Sequence, residues 1–161
     1  MRILFVEPPR DFWFVMGEYL PPPFGIIQLA AFLEQEINDV EIEVLDCTTL
    51  QLSWRDIEKR IETFNPDIVA ASAFASCTVY SVLRTLETAK KVNSYILTVT
   101  GGQHFSATAQ ESLEKYPEID IIVRGEGEET LTELVKNSTR RSNFTKIRGI
   151  SFRHKGKIFP L

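Results

Sequence analysis

The sequence lacks the features that mark membrane, secreted and nucleic-acid-binding proteins. No apolar run in its 161 residues reaches the length of about 18 residues that suggests a membrane-spanning helix. The first residues carry one basic side chain and an apolar run too short for a signal peptide. These absences predict a cytoplasmic protein without a membrane span. The net charge of -4 offers no basic face, so we expect no nucleic-acid partner.

Cysteine is also scarce, with two residues in the whole chain. Cys47 and Cys77 form neither a Cys-x-x-Cys pair nor another metal-binding spacing. Free cysteines most often behave as small hydrophobic residues. We therefore expect both thiols to be reduced and buried.

Strand-like and helix-like segments alternate along the chain. The predicted strands cover residues 2–6, 40–45, 67–71, 95–100 and 119–123. The predicted helices cover residues 24–36, 54–64, 78–92, 106–116 and 128–136. Ser53 is a suitable N-cap for the second helix. Repeated alternation of this kind indicates a parallel sheet with helices on both faces.

We therefore predict an α/β fold, a three-layer doubly wound parallel five-stranded sheet of the flavodoxin-like or Rossmann-like type. Right-handed crossovers restrict the topology, and we expect the strand order 2-1-3-4-5. Residues 1–137 form this domain. Residues 138–161 form a polar connector and a C-terminal β-hairpin extension. Because the chain stops directly after the hairpin, we expect it to be part of a longer parent chain.

The common ligand sites of this architecture are missing. The loop after the first strand reads Glu7-Pro-Pro-Arg10, and proline lacks the N–H that a flavodoxin phosphate loop donates. The third strand ends in Ala70-Ala-Ser-Ala-Phe74, without the aspartate of a phosphoacceptor receiver domain. Neither the Gly-x-Gly-x-x-Gly of a dinucleotide site nor a Walker phosphate loop occurs.

Small residues instead gather where three predicted strands end. The three groups are Ser72, Ala73 and Ser76, then Thr100, Gly101 and Gly102, and then Gly125 and Gly127 with the larger Glu126 between them. Ligands of open α/β sheets bind at the carboxyl ends of the strands, and glycine leaves the backbone accessible there. The pattern predicts a deep slot for a long or flat ligand. It is equally compatible with tight turns and helix caps that only complete the fold.

The connection between the first strand and the first helix is unusually long. It runs over residues 7–23, whereas such loops usually have about two to six residues. It contains Pro8, Pro9, Phe12 and several further aromatic and proline residues. We expect this stiff, aromatic loop to face the ligand edge of the sheet.

In combination, several motifs resemble the N-terminal cobalamin-binding domain of radical S-adenosylmethionine enzymes. They are Pro8-Pro9, Pro23-Phe-Gly-Ile-Ile-Gln-Leu-Ala-Ala-Phe-Leu33, Val44-Leu-Asp46, Pro66-Asp-Ile-Val-Ala-Ala-Ser72, Thr100-Gly-Gly-Gln-His104 and Val123-Arg-Gly-Glu-Gly-Glu-Glu-Thr130. The resemblance extends from the first strand to about Val135. Its Gly-Gly-x-His and Gly-Glu-Gly-Glu elements are fairly specific together and weak separately.

The resemblance implies that the nucleotide tail of cobalamin enters the sheet edge, with the corrin ring above the strand ends. The residues implied to contact cobalamin are Pro8, Pro9, Phe12, Ser72, Ala73, Phe74, Ser76, Thr100, Gly101, Gly102, Gln103, His104, Gly125, Glu126 and Gly127. His104 is expected to form a local hydrogen bond rather than to ligate cobalt.

The first loop also departs from part of the wider superfamily. Methionine synthase and the mutases carry Asp-x-His-x-x-Gly there, and this loop contains no histidine. The resemblance therefore implies base-off cobalamin, whose lower face is open or shielded by an apolar side chain. The candidates for such a shield are Phe12, Trp13, Phe14 and Met16.

The resemblance further implies that the chain is a module of a larger enzyme. The parent is expected to be a cobalamin-dependent radical S-adenosylmethionine methyltransferase or anaerobic oxidative cyclase. Its C-terminal radical S-adenosylmethionine domain would bind S-adenosylmethionine and a 4Fe-4S cluster through Cys-x-x-x-Cys-x-x-Cys. This chain has no such motif, so we expect it to bind neither and to have no catalytic residue of its own.

Two alternatives stay open from the sequence. One is a domain of the same superfamily that has lost cobalamin and acts as a docking or substrate scaffold. The other is a nucleotide-binding α/β enzyme. If the slot exists, Gly101→Leu or Gly102→Leu is expected to abolish cobalamin uptake while leaving the fold intact.

Overall fold

The computed structural model describes residues 1–9, 22–139, 141–154 and 156–160. Its elements are β1 (Arg2–Glu7), α1 (Phe24–Glu36), β2 (Glu41–Asp46), α2 (Trp54–Phe64), β3 (Ile68–Ser72), α3 (Val79–Val92), β4 (Leu97–Gly101), α4 (Gln103–Ala107), α5 (Ala109–Lys115), β5 (Ile121–Val123), α6 (Glu128–Asn137), β6 (Ile150–His154) and β7 (Lys157–Pro160). Two short 3₁₀ turns, Ser76–Thr78 and Arg141–Lys146, precede α3 and follow α6. None of the described helices is long and apolar enough to cross a membrane.

The described strands form one sheet in the order β2-β1-β3-β4-β5-β6-β7. The strands from β1 to β5 are parallel, with Phe5 opposite Val44 on one side and Ala70 on the other. The predicted α/β class and the order 2-1-3-4-5 are confirmed. The predicted number of strands is wrong, because the hairpin adds β6 and β7 to the same sheet and the described sheet has seven strands.

The hairpin joins the sheet because it covers the edge of β5. Val123 pairs with Ile150 and Ile121 pairs with Phe152 in an antiparallel ladder. The Phe152 side chain is 1% exposed and stacks on Phe159 with 5.1 Å between ring centroids. An uncovered edge would present unpaired backbone groups to solvent. The sequence pattern predicted a hairpin but contained no signal for the strand it pairs with.

The core lies in two layers, one on each face of the sheet. Leu4 and Val6 of β1 pack with α2, α3, α4 and α5, whereas Ile3 and Phe5 pack with α1 and α6. This alternation follows from the two-residue period of a strand, which sends neighbouring side chains to opposite faces. The predicted three-layer arrangement is thus confirmed.

A local sequence signal sets the start of α2. The Ser53 N–H donates to an Asp56 carboxylate oxygen at 2.7 Å, which confirms Ser53 as the cap of α2. The helix predicted over residues 106–116 is wrong, because α4 and α5 are separate helices that meet at Thr108. The Thr108 hydroxyl donates to the His104 carbonyl at 2.9 Å, and its φ of -115° interrupts the helical geometry.

Candidate functional site

A cleft opens at the carboxyl ends of β3, β4 and β5, beside the first turns of α1 and α6. Its volume is about 240 Å³. Sites that bury a whole drug-sized ligand usually measure about 300–1,000 Å³, so this cleft has room for one part of a large ligand. Its lining residues are Phe5, Gly25, Ile26, Gln28, Leu29, Ala70, Ala71, Ser72, Val99, Thr100, Gly101, Gly102, Val123, Gly125, Glu126, Gly127, Glu128 and Leu131.

The cleft has an apolar inner wall and a polar mouth. We define the inner wall as the buried lining side chains from the core under α1 and α6, namely Phe5, Ile26, Ala70, Val99, Val123 and Leu131. We define the mouth as the more exposed lining residues Gly25, Gln28, Gly125, Glu126 and Glu128. An apolar group therefore fits inside, and a polar group stays at the mouth.

Gly101 and Gly102 are required by the backbone that surrounds them. A Cβ atom on Gly101 would lie 2.9 Å from the Val123 carbonyl oxygen. On Gly102, whose φ is +89°, it would lie 2.5 Å from the Ala73 carbonyl oxygen. The expectation that leucine at either position leaves the fold intact is therefore wrong, because even an alanine side chain collides with main-chain atoms.

Two other glycines of the lining border open space. A Cβ atom on Gly25 or on Gly125 would meet no atom within 4 Å. The Gly125 φ of +69° is in the left-handed region, and its N–H donates to the Ser106 hydroxyl at 3.2 Å. Gly25 has no such backbone constraint. It is the position of the mouth where a side chain can be added without strain.

A hydrogen bond joins the two helices that flank the cleft. The Gln28 side-chain amide of α1 donates to a Glu128 carboxylate oxygen of α6 at 2.7 Å. Glu128 is also in the first turn of α6, where a carboxylate is favourable near the helix N-terminus. This contact bridges α1 and α6 at the mouth.

Part of the predicted site is assembled in this cleft. The predicted residues that line it are Ser72, Thr100, Gly101, Gly102, Gly125, Glu126 and Gly127. The Thr100 hydroxyl donates to the Ala71 carbonyl at 2.8 Å. A Cβ atom added to Gly102 would lie 2.8 Å from the Ser72 hydroxyl oxygen. Ser72 is thus the hydroxyl at the end of β3 that directly borders the paired glycines.

The other predicted residues lie around the cleft without lining it. Ala73 is buried in the core on the opposite face of the sheet, and Gln103 is exposed at the start of α4. Phe74, in the loop after β3, is 77% exposed. Pro8 is buried and Pro9 is partly exposed after β1. Phe12 lies outside the described residues, as do Trp13, Phe14 and Met16.

His104 makes the local contact expected of it. Its Nδ1 lies 3.0 Å from the Ser76 hydroxyl, in hydrogen-bond contact. Its ring also packs edge-on against Phe105, with centroids 5.4 Å apart. The contact ties the loop after β3 to the start of α4, and so links two of the loops that carry predicted site residues.

The two cysteines differ in environment. Cys47 is buried as expected, and burial together with the nearby Asp46 carboxylate raises the pKa of its thiol to about 12. Cys77 is exposed in the 3₁₀ turn before α3, so the prediction that it is buried is wrong. The turn places Cys77 on its outer side, a detail that the residue pattern did not reveal.

Residue reasoning missed the contribution of α1. Gly25, Gln28 and Leu29 line the cleft, although none of them was assigned to the site. The motif from Pro23 to Leu33 contained these residues, and a helix that begins at the ligand edge places its first turn there. The sequence signal for this contribution is the Pro23–Leu33 motif itself, which lies outside the loops that follow the strands.

The electrostatics of the lining are acidic. Among the described lining residues the charged side chains are Glu126 and Glu128, and none is a cation. The described residues also contain no group of three or more His, Cys, Asp or Glu side chains placed to hold a metal ion. The described lining combines apolar surface with two hydroxyls, one amide and two carboxylates, groups that can bind a ligand but include no paired nucleophile and base.

Comparisons with known proteins point to one family. Residues 16–135 match the family described as the B12 binding domain. The chain is 36% identical over 160 residues to an uncharacterized methyltransferase, PH0819, of Pyrococcus horikoshii, and this match covers 98% of the chain and 34% of that protein. It is 36% identical over 137 residues to the anaerobic magnesium-protoporphyrin IX monomethyl ester cyclase of Rubrivivax gelatinosus, with 84% of the chain and 24% of that protein covered.

A solved structure has the same fold. It is the radical S-adenosylmethionine methyltransferase TsrM from Kitasatospora setae with cobalamin and a [4Fe-4S] cluster bound, with a TM-score of 0.76 and 21% identity. The match covers 98% of this chain and 30% of that one. The chain therefore spans about a third or less of the length of these relatives.

Proposed function

The chain belongs to the B12 binding domain family, and we propose that it is the cobalamin-binding module of a larger, cobalamin-dependent radical S-adenosylmethionine enzyme. The family match covers residues 16–135, which include both helices of the cleft. The similar proteins are named as a methyltransferase, a cyclase and a radical S-adenosylmethionine methyltransferase. Their greater length supports a parent chain with a further domain.

One observation carries the assignment of the site. The carboxyl ends of three parallel strands border a cleft with an apolar inner wall and a mouth that is open at Gly25 and Gly125. A flat, largely apolar base fits between such walls, and the rest of a nucleotide tail can leave through the mouth. In this proposal Ser72, Gly101, Gly102 and Gly125–Gly127 line the tail, joined by Gly25 and Gln28 of α1.

The surface above the cleft supports the position of the corrin ring. Phe74 is 77% exposed, Phe24 is 70% exposed and Leu50 is 59% exposed. All three lie at the carboxyl edge of the sheet, either after a strand or at the start of α1. In this proposal, the corrin ring covers these exposed apolar side chains. We assign the corrin to this edge, where Pro8, Pro9, Ser76, Gln103 and His104 also lie.

The chain's own residues hold and orient the cofactor. When bound, cobalamin would supply methyl-carrier or redox chemistry to the parent enzyme. In this proposal the apolar inner wall keeps water from the base, and the Gln28–Glu128 contact bridges the two flanking helices at the mouth. S-adenosylmethionine and the 4Fe-4S cluster belong to the proposed C-terminal domain, because this chain has two cysteines and no cluster motif.

The domain division and location remain part of the proposal. Residues 1–137 are the proposed cobalamin-binding domain, and residues 138–161 lead to the radical S-adenosylmethionine domain in the parent chain. The hairpin within that segment also completes the sheet. We infer a cytoplasmic location and no nucleic-acid partner.

Titration with hydroxocobalamin tests the proposal. We expect saturable binding by the folded chain and the visible spectrum of base-off cobalamin. ATP, added separately, is expected to leave the melting temperature unchanged. Absence of saturable cobalamin binding would support a scaffold domain, and a stabilising nucleotide without cobalamin binding would support the nucleotide-binding alternative.

A further inference from the structure

The inner wall of the cleft has little to offer a polar ligand. Phe5, Ile26, Val99 and Leu131 are each 4% exposed or less, and Ala70 and Val123 complete the wall. All six side chains are hydrocarbon. A group that packs against this inner wall therefore contacts side chains without hydrogen-bond donors or acceptors.

Several of the polar groups that border this wall already have partners within the chain. The Thr100 hydroxyl donates to the Ala71 carbonyl at 2.8 Å. The Gly101 carbonyl accepts the Ala73 N–H at 3.1 Å, and the Gly127 carbonyl accepts the Leu131 N–H at 2.7 Å. A donor group on a buried ligand would compete with these bonds for an acceptor, and a buried donor without a partner is costly.

The charged groups are confined to the mouth. Glu126 is exposed and Glu128 is partly exposed, and no described lining residue is a cation. Carboxylates at the mouth repel a phosphate. The end of a nucleotide tail that enters is therefore the neutral base, and the volume of about 240 Å³ admits a base rather than the whole cofactor.

From these three observations we propose that the cleft discriminates among corrinoids by their lower base. It accepts benzimidazole-type bases, whose faces and methyl groups suit a hydrocarbon wall. It disfavours purine bases, whose exocyclic amino group would lose its hydrogen bonds to water without regaining one inside. This inference rests on the proposed function, since it concerns the tail of the cofactor assigned to this cleft.

Titrations of the folded chain with three corrinoids test the inference. They are hydroxocobalamin, the matching corrinoid with an adenine lower base, and cobinamide, which lacks the nucleotide tail. We expect hydroxocobalamin to bind about ten to a hundredfold more tightly than the adenine form, the range for a polar group in an apolar pocket. Cobinamide is expected to bind more weakly than hydroxocobalamin.

The outcomes separate the proposed site of the cobalamin tail from the proposed selectivity for the lower base. If cobinamide binds as tightly as hydroxocobalamin, the tail does not use the cleft and the proposed site fails. If hydroxocobalamin exceeds cobinamide but the adenine form binds equally well, the site stands and the base selectivity is overturned.

A pair of variants tests the cause of the selectivity. Leu29 lines the cleft and is partly exposed, so Leu29→Gln adds an amide there with little risk to folding. We expect it to reduce the preference for hydroxocobalamin at least threefold. Ile27→Gln, at an exposed site of the same helix outside the lining, is expected to leave the preference unchanged. An unchanged preference in folded Leu29→Gln would overturn the role of the apolar wall.

Discussion

Gly102 lies so close to Ala73 that a Cβ atom on Gly102 would be 2.5 Å from the Ala73 carbonyl oxygen. The Ala73 N–H in turn donates to the Gly101 carbonyl at 3.1 Å. The paired glycines therefore allow the loop after β3 to pack directly against the end of β4. Their first role is to build the edge of the sheet, and the floor of the cleft follows from it.

This contact predicts a large loss of stability at Gly102. Gly102→Ala is expected to reduce the free energy of unfolding by roughly 2–5 kcal/mol, because it adds both a left-handed strain and a steric conflict. Gly156→Ala is the matched control, since Gly156 also has a positive φ, +75°, but no atom within 4 Å of its Cβ position. Gly156→Ala should reduce the free energy of unfolding by only about 1–2 kcal/mol. Urea unfolding measures both, and equal losses would contradict the steric account.

A second prediction concerns Asp120, which links β4 to β5. One of its carboxylate oxygens accepts hydrogen bonds from the Thr98 N–H at 3.0 Å and from Lys90 Nζ at 2.5 Å. Asp120→Ala leaves both donors without this partner and is expected to cost about 2–3 kcal/mol. Glu87→Ala, which breaks an exposed pair with Lys91, should cost less than about 0.5 kcal/mol. A similar loss in both variants would show that the Asp120 contacts are not specially stabilising.

The cysteines predict a selective thiol reactivity. In the folded chain at pH 8, Ellman's reagent should react quickly with the exposed Cys77 and not with Cys47, whose thiol has a pKa of about 12. In denaturant both should react. Cys77→Ser should abolish the fast reaction, and a fast reaction that persists in that variant would contradict the burial of Cys47.

The Cys47 thiol also makes the stability of the folded chain depend on pH. Folding raises the pKa of this thiol from 9.0 to about 12. Below pH 9 the thiol is protonated in both the folded and the unfolded chain, so its contribution to the free energy of unfolding is fully present. As the pH rises from 9 towards 12, the unfolded chain alone forms the thiolate, and the folded state loses stability. Cys47→Ala should reduce this alkaline loss, as measured by urea unfolding at pH 8 and pH 10.

A further prediction is that His104 does not coordinate the cobalt of bound cobalamin. His104 lies at the start of α4, where its ring contacts the Ser76 hydroxyl and Phe105, and we expect it to leave cobalt unligated. The electron paramagnetic resonance spectrum of bound cob(II)alamin should then show no nitrogen superhyperfine splitting in the original chain or in His104→Ala. A splitting that disappears in His104→Ala would identify His104 as the ligand and overturn this assignment.

Much of the fold was predictable because its signals are local and repeated. The apolar spacing of α1 and α2 gave both ends of each helix, and strand–helix alternation gave the parallel order. The attachment of β6 to β5 depends on a long-range pairing, Ile121 with Phe152, for which the sequence has no local signal. The break at Thr108 was missed because no glycine or proline marks it in the sequence, although the Thr108 φ of -115° separates α4 from α5.

The candidate site was predictable where it lies on loops after strands. Ser72, Gly101 and Gly125 were identified because small residues at strand ends are a recognisable pattern. Gly25 and Gln28 were missed because their role depends on how α1 packs across the sheet. The steric constraint on the paired glycines was not predictable, because the contact between Gly102 and Ala73 is visible only in three dimensions.

The most direct test of the account fills the mouth of the cleft at Gly25. No atom lies within 4 Å of its Cβ position, so Gly25→Leu adds bulk at the mouth without a backbone conflict and raises helix propensity by up to about 1 kcal/mol. Ala31→Leu, at an exposed position of α1 outside the lining, is the matched control.

Titration of both variants and the original chain with hydroxocobalamin, with melting temperature as the check on folding, gives the measurement. We predict that Gly25→Leu remains folded and binds about five- to a hundredfold more weakly, since a steric conflict of about 1–3 kcal/mol corresponds to that change. Ala31→Leu should bind as the original chain does. Undiminished binding by folded Gly25→Leu would contradict the placement of the cobalamin tail in this cleft.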